Sequence, residues 1–371
     1  MGDPIVVLCV DGLDPKYLEA CRAPTLEELG GRGFSTTGQA MVPTVTNVNN
    51  VSIVTGRYPE EHGIATNYWL NRGSGREVYM ESSEYLQSGT MLEASTRKGL
   101  RSALVTAKDK LRALLDRGTT VAFSSEQPLP WLVAELGEPP PIYSLEVNGW
   151  VLRAASLVLA REGIDLAYVA TTDYPQHTYA PDEPQSQEHM TILDNAIGAL
   201  VEAHPNVELL ITADHGMASK RHMVDLEETL SRRGIHARAV PVIKDRYVVH
   251  HSNLGGCIYV YLDSVGDLKE ATQVLRDVPG VEGALSREEA ATRYHLPAER
   301  IGDMVVLGGP DVVFGRPSEV SLPPRLRSHG SLHERNVPII GHGGDFEGFE
   351  FRENRDVGRY VLQRLGPDTV E

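Results

Sequence analysis

The sequence predicts an α/β fold: a mostly parallel sheet covered by helices, with an inserted α+β cap. Three observations predict it. Short apolar runs alternate with helical patterns along most of the chain, as βαβ units require. Several of those runs end at an aspartate, where ligands of open parallel sheets collect. One block, from about Met223 to Val313, breaks the rhythm.

Taken in order, residues 5–10, 104–106, 166–171, 208–212 and 337–340 read as buried strands. They are short and rich in Val, Ile and Leu, as strands covered on both faces are. Residues 24–29, 188–203 and 356–365 read as helices. The irregular block contains 257–262, 268–277 and 302–307 as further β and α material. It lies between two groups of candidate site residues. The expected division is therefore a catalytic core from 1–222 and 314–371, interrupted by a cap at 223–313.

Composition narrows the function classes. The chain has 371 residues, 41% of them hydrophobic, enough apolar surface to exclude disorder as the main theme. Lys and Arg total 35 against 51 Asp and Glu, a net charge of −16. That balance argues against nucleic acid as a partner. A small anionic substrate stays compatible, because a bound metal reverses the local sign. The apolar run at 5–10 is too short to span a bilayer and lacks the flanks of a secretory signal. Cys9, Cys21 and Cys257 have no framework spacing, which fits a reducing compartment. The expectation is a cytoplasmic protein with no membrane partner.

Three strand patterns run into Asp11, Asp173 and Asp214. Singly, each reads as a helix N-cap. Histidines change the reading: His215 follows Asp214 directly, and His177 lies four residues after Asp173. Clustered carboxylates repel unless cations neutralise them. Carboxylate oxygen with imidazole nitrogen suits zinc, and the number of ligands fits two metals better than one. Between Pro43 and Gly56 a loop passes into an expected helix. A threonine there faces the positive helix end, and metal coordination would turn its hydroxyl into a nucleophile.

The set CVDG at Asp11, PTVTNVNNVSIVTG at Thr46, TTDYPQH, ADHGM and a later SHG resembles the alkaline phosphatase superfamily. The branch it resembles most contains the nucleotide pyrophosphatase/phosphodiesterases and phosphonoacetate hydrolase. The resemblance implies a three-layer alkaline-phosphatase-like core, two zinc ions per chain and a possible homodimer. It assigns Asp173, His177 and His329 to one zinc, and Asp11, Thr46, Asp214 and His215 to the other. Thr46 would be the nucleophile, with Thr44 as its neighbouring candidate. His333 and His342 are rivals of His329. His62 reads as structural, and His222, His250 and His251 as surface or cap residues, one of which a mobile cap could bring to the site.

Lys108 and Lys110, in TAKDK, share a direction only where the chain is extended, because helical positions i and i+2 do not face one way. By resemblance to phosphonoacetate hydrolase they hold the substrate's anionic groups, and Asn67 donates to a phosphoryl oxygen. The activity implied is cleavage of the C–P bond of phosphonoacetate through a phosphothreonine intermediate. The alternative is a nucleotide pyrophosphatase, phosphodiesterase or other phosphoester hydrolase on the same zinc core, with Tyr68, Trp69 and Tyr174 as a base slot. A manganese-dependent phosphoglycerate mutase relative and a non-catalytic binding module fit the residues less well.

Overall fold

The computed structural model describes residues 3–366. Its main sheet has seven strands in the order Phe34–Gln39, Asn336–His342, Glu208–Thr212, Ile5–Cys9, Leu166–Ala170, Ser102–Thr106 and Val121–Ser124. Asn336–His342 is antiparallel to both its neighbours; the remaining pairings are parallel.

Side-chain alternation along these strands makes the layers. On Ile5–Cys9, Val7 and Cys9 point to one apolar cluster, while Val6 and Leu8 point to another. The first is closed by helices Thr46–Thr55, Met91–Arg97, Asp109–Leu115 and Arg355–Leu365. The second is closed by Pro24–Arg32, Glu146–Glu162 and Pro184–Ala203. A sheet buried on both faces is the setting in which a parallel arrangement persists.

A second sheet is antiparallel throughout, in the order Ala237–Pro241, Cys257–Leu262, Met304–Gly308 and Val281–Ser286. One face, with Ile258, Val260, Met304 and Val306, packs on helices Leu226–Ser231 and Leu268–Arg276. The other face, with Cys257, Tyr259 and Leu307, joins the core cluster beneath Thr46–Thr55. At its root, His222–Val224 pairs with Val312–Phe314. Cys257–Leu262 and Val281–Ser286 run parallel to each other with Met304–Gly308 antiparallel between them, and helix Leu268–Arg276 makes the crossover that joins them, as a parallel pair requires. No helix among the described residues is long and apolar enough to cross a membrane.

Candidate metal centre and active site

The three aspartates leave neighbouring strands of the main sheet at their carboxyl ends. Asp11 follows Ile5–Cys9, Asp173 follows Leu166–Ala170, and Asp214 follows Glu208–Thr212. Backbone N–H groups fix Asp214. Asp214 Oδ1 accepts from Gly12 N at 3.1 Å and His215 N at 3.0 Å. Gly12 turns the chain with φ +74°, and a Cβ there would stand 3.0 Å from Asp173 Cβ. Only glycine meets both conditions cheaply.

Three histidines are aimed the same way. Nδ1 of His177 is bound to the Arg327 carbonyl at 2.7 Å, that of His215 to Gly216 at 2.9 Å, and that of His329 to Thr44 at 2.6 Å. A carbonyl only accepts, so each Nδ1 carries the hydrogen and each Nε2 turns a lone pair inward. This is the orientation that metal-ligating histidines require. Ligand atoms of Asp11, Asp214 and His215 lie within 4.8 Å of one another, as do those of Asp173, His215 and His329. His177 joins through Asp173, with Nε2 3.0 Å from Oδ2. The imidazoles of His215 and His329 stack at 3.6 Å.

The two threonines differ in what their hydroxyls do. Thr44 Oγ1 donates to the Ser331 carbonyl and accepts from Gly330 N, both at 2.9 Å. It is consumed in holding the loop that carries His329. Thr46 opens helix Thr46–Thr55, and its Oγ1 lies 3.4 Å from His215 Nε2. That helix is held by its own asparagines. Asn47 Nδ2 donates to Met80 O, Asn50 Nδ2 to Asp214 Oδ2, and Asn49 accepts from Met41 N. Asn67 Oδ1 accepts from Asn47 N at 3.1 Å, which fixes its amide beside Thr46.

The lysines correct one expectation. The chain is extended only at Lys108; Lys110 already lies in the first turn of helix Asp109–Leu115. The strand-to-helix junction, not a straight strand, brings both ammonium groups to one place, 5.8 and 5.5 Å from the centre of the Tyr247 ring. Lys108 Nζ bridges Asp11 Oδ2 at 2.9 Å and Asp173 Oδ1 at 2.6 Å. Lys110 pairs with Asp245.

The other histidines separate clearly. His62 is buried between Ser52 Oγ and Ile64 N. His222 is exposed beside Asp311, and His333 pairs with Glu282 on the surface. His342 ends its strand half-buried. His250 and His251 come from the irregular block and are buried against the site, the alternative that the cap reading left open. His250 Nδ1 is 3.3 Å from Asp173 Oδ1, and His251 Nε2 is 3.0 Å from Asp245 Oδ1.

The electrostatics are those of an incomplete set of cations. Burial and repulsion from Asp173 and Asp214 push the Asp11 carboxyl well up. Burial pushes Asp214 to about 6. Asp173 resists burial and is held well down by Lys108 and His177. Burial keeps His215 neutral, and for His329 the neighbouring His215 and His177 add to it. Asp11 Oδ1 and His177 Nε2 are buried without a hydrogen-bond partner. Orphaned acceptors among acids and neutral imidazoles fit divalent metal.

Sequence reasoning missed Asp245 and Tyr247 as site residues. They lie on a short segment around helix Val248–His251, and only the fold of the second sheet returns it to the main-sheet edge.

Residues 5–332 match the model of the type I phosphodiesterase / nucleotide pyrophosphatase family. A venom phosphodiesterase of Naja atra is 26% identical over 58% of this chain and 26% of its own length. The ectonucleotide pyrophosphatase/phosphodiesterase C27A7.3 of Caenorhabditis elegans is 23% identical over 91% of this chain and 42% of its own. The chain thus spans less than half the length of these curated relatives. The phosphonoacetate hydrolase of Sinorhizobium meliloti 1021, solved with phosphonoacetate, is similar with a TM-score of 0.90 and 32% identity, over 98% of this chain and 96% of that one. Murine ectonucleotide pyrophosphatase/phosphodiesterase 5 shares the fold, at a TM-score of 0.74 and 18% identity over 99% of this chain and 96% of that one. The chain belongs to the type I phosphodiesterase/nucleotide pyrophosphatase family of the alkaline phosphatase superfamily.

Proposed function

We propose that the protein is a zinc-dependent phosphonoacetate hydrolase, cleaving the C–P bond to acetate and phosphate. The observation that carries this reading is Lys108 Nζ bridging Asp11 and Asp173 on the acid edge that also holds Thr46, with Lys110 beside the same Tyr247 ring as Lys108. The full-length likeness to the Sinorhizobium meliloti enzyme supports it.

Asp11, Thr46, Asp214 and His215 would hold one zinc; Asp173, His177 and His329 would hold the other. Zinc bound there supplies positive charge that lowers the pKa of a hydroxyl or water and balances the phosphoryl oxygens. The protein's own residues do the rest. Thr46 Oγ1 attacks phosphorus, forming the O–P bond of a phosphothreonine while the C–P bond breaks. The electron pair left on carbon spreads into the adjacent carboxylate, and Lys108 and Lys110 stabilise that charge. Asn67 offers its remaining Nδ2 hydrogens to a phosphoryl oxygen. Protonation of carbon gives acetate. Water then attacks the phosphothreonine, releasing phosphate and returning the proton to Thr46. The sum is phosphonoacetate plus water to acetate plus phosphate.

Residues 223–313 would form the cap that lowers the 245–251 segment onto this site. Hydrolysis of nucleotide diesters, the activity in the names of the curated relatives, is the second reading. It needs an aromatic slot; of the three candidates Tyr68 and Trp69 are each only 7% exposed, and Tyr174 stands half-buried against His250. The test is direct: purified protein is given phosphonoacetate and a p-nitrophenyl phosphodiester in parallel. Phosphate release from the first at the higher kcat/KM supports the proposal; turnover of the diester alone overturns it.

A further inference from the structure

His250 is only 4% exposed, and among the described residues neither of its ring nitrogens makes a well-aligned hydrogen bond. Its ring lies 4.9 Å from Tyr143, edge to face, 5.6 Å from Tyr174 and 5.9 Å from Tyr247. Nδ1 is 3.3 Å from Asp173 Oδ1, the oxygen that also receives Lys108. An imidazole therefore occupies an aromatic enclosure at the edge of the candidate metal centre. Such an enclosure is where the second organic group of a phosphodiester would stack.

The residues around His250 hold it there. Asp245 binds Lys110 and His251, and its Oδ1 accepts from Tyr247 N at 2.8 Å. Tyr247 and Arg246 both reach Glu126 on the core. The outer side is loosely supported: Val249 is 65% exposed, and a cavity of about 460 Å³ is lined by Val248, Ser252 and Asn253. Its far end, Ser252 and Asn253, adopts positive φ of 54° and 56°. The segment is latched from the inside by charge and backed on the outside by space.

We infer that His250 is a specificity-determining residue: it fills the aromatic slot beside Asp173 and so restricts the site to phosphonates with one small anionic substituent. The inference rests on the phosphonate reading and adds to it a reason why a diester is refused. A phosphonoacetate dianion needs no room beside Asp173, and its carboxylate can take over Lys110 from Asp245. An aryl or nucleotide ester needs the volume that His250 holds.

The test compares kcat/KM for phosphonoacetate and for a p-nitrophenyl nucleotide diester in wild type, His250→Ala and His250→Phe. The expected result is a rise of about tenfold or more in the diester-to-phosphonate ratio for His250→Ala. His250→Phe, which keeps the slot filled without the nitrogens, keeps the wild-type ratio within about threefold. A ratio unchanged in His250→Ala, or shifted equally in His250→Phe, overturns the inference. Should His250→Ala not fold, inhibition of the wild type decides. Phosphonoformate should inhibit, and phenylphosphonate should need at least about tenfold more; equal potency overturns it. Absence of phosphonoacetate turnover in the wild type would instead defeat the parent proposal, and the diester gain of His250→Ala would still be measurable.

Discussion

The acid edge of the main sheet and the 245–251 segment above it meet at Asp173, but different forces hold them. Below, each inward-facing imidazole is tied to a backbone carbonyl, and Asp214 is tied to backbone N–H groups. Those partners are buried backbone groups of Gly12, Thr44, His215, Gly216 and Arg327, which no side-chain rotation can release. Above, the anchors are side chains, chiefly the Asp245 pairs with Lys110 and His251. The difference teaches where rigidity is needed: groups that meet phosphorus are preorganised, whereas the groups that admit the ligand rest on exchangeable ion pairs.

The largest expected effect lies below. Thr46→Ala should lower phosphate release by about a thousandfold or more and leave the melting temperature nearly unchanged, since Thr46 Oγ1 meets only His215. Turnover within a few-fold of wild type would remove Thr46 from the mechanism. The same contrast sharpens at the ligands. His329→Ala should lose about one metal equivalent by elemental analysis, while His333→Ala, altering a surface pair with Glu282, should keep wild-type content. Equal losses would move the third imidazole elsewhere.

Above the edge the effects should be smaller. Lys110→Met should lower kcat/KM for phosphonoacetate by about ten- to a hundredfold, the worth of one charged hydrogen bond, mainly through kcat, because Lys110 meets charge that develops as the C–P bond breaks. A rise in KM with kcat unchanged would confine Lys110 to ground-state binding. The smallest effect is in stability. Burial lowers His62 and His189 to about 3, whereas an unfolded histidine titrates near 6.5. The unfolded chain therefore binds these protons first. Their neutral burial costs nothing above about pH 6.5 and erodes stability as pH falls toward 3, by up to about 1.4 kcal/mol per pH unit for each histidine. His62→Asn should flatten the dependence of melting temperature between pH 6.5 and 4.5; an unchanged slope would contradict this.

The layered fold and its parallel strands were legible because fully buried strands write themselves as apolar runs, and Asp11, Asp173 and Asp214 follow such runs directly. Other elements left no such trace. Phe34–Gln39 is a mostly exposed edge strand of polar residues. Glu146–Glu162 buries Val147 to Leu152 without interruption, polar Asn148 and Gly149 among them, so its apolar stripe is blurred. Lys108 and Lys110 were legible as a pair but not in geometry, since a strand-to-helix junction aims them as an extended strand would. Asp245 was not legible at all, and His250 only as one of three histidines that a cap could bring to the site. Their role depends on a tertiary return through an antiparallel sheet, which neither periodicity nor local motif encodes.

The most direct test of the central claim is inorganic phosphate released from phosphonoacetate by the purified protein, with and without a chelator. The account predicts one phosphate per phosphonoacetate consumed, abolished by the chelator and restored by added zinc. Undiminished release after the metal has been removed, or no release at all while a nitrophenyl phosphodiester is turned over, would contradict it.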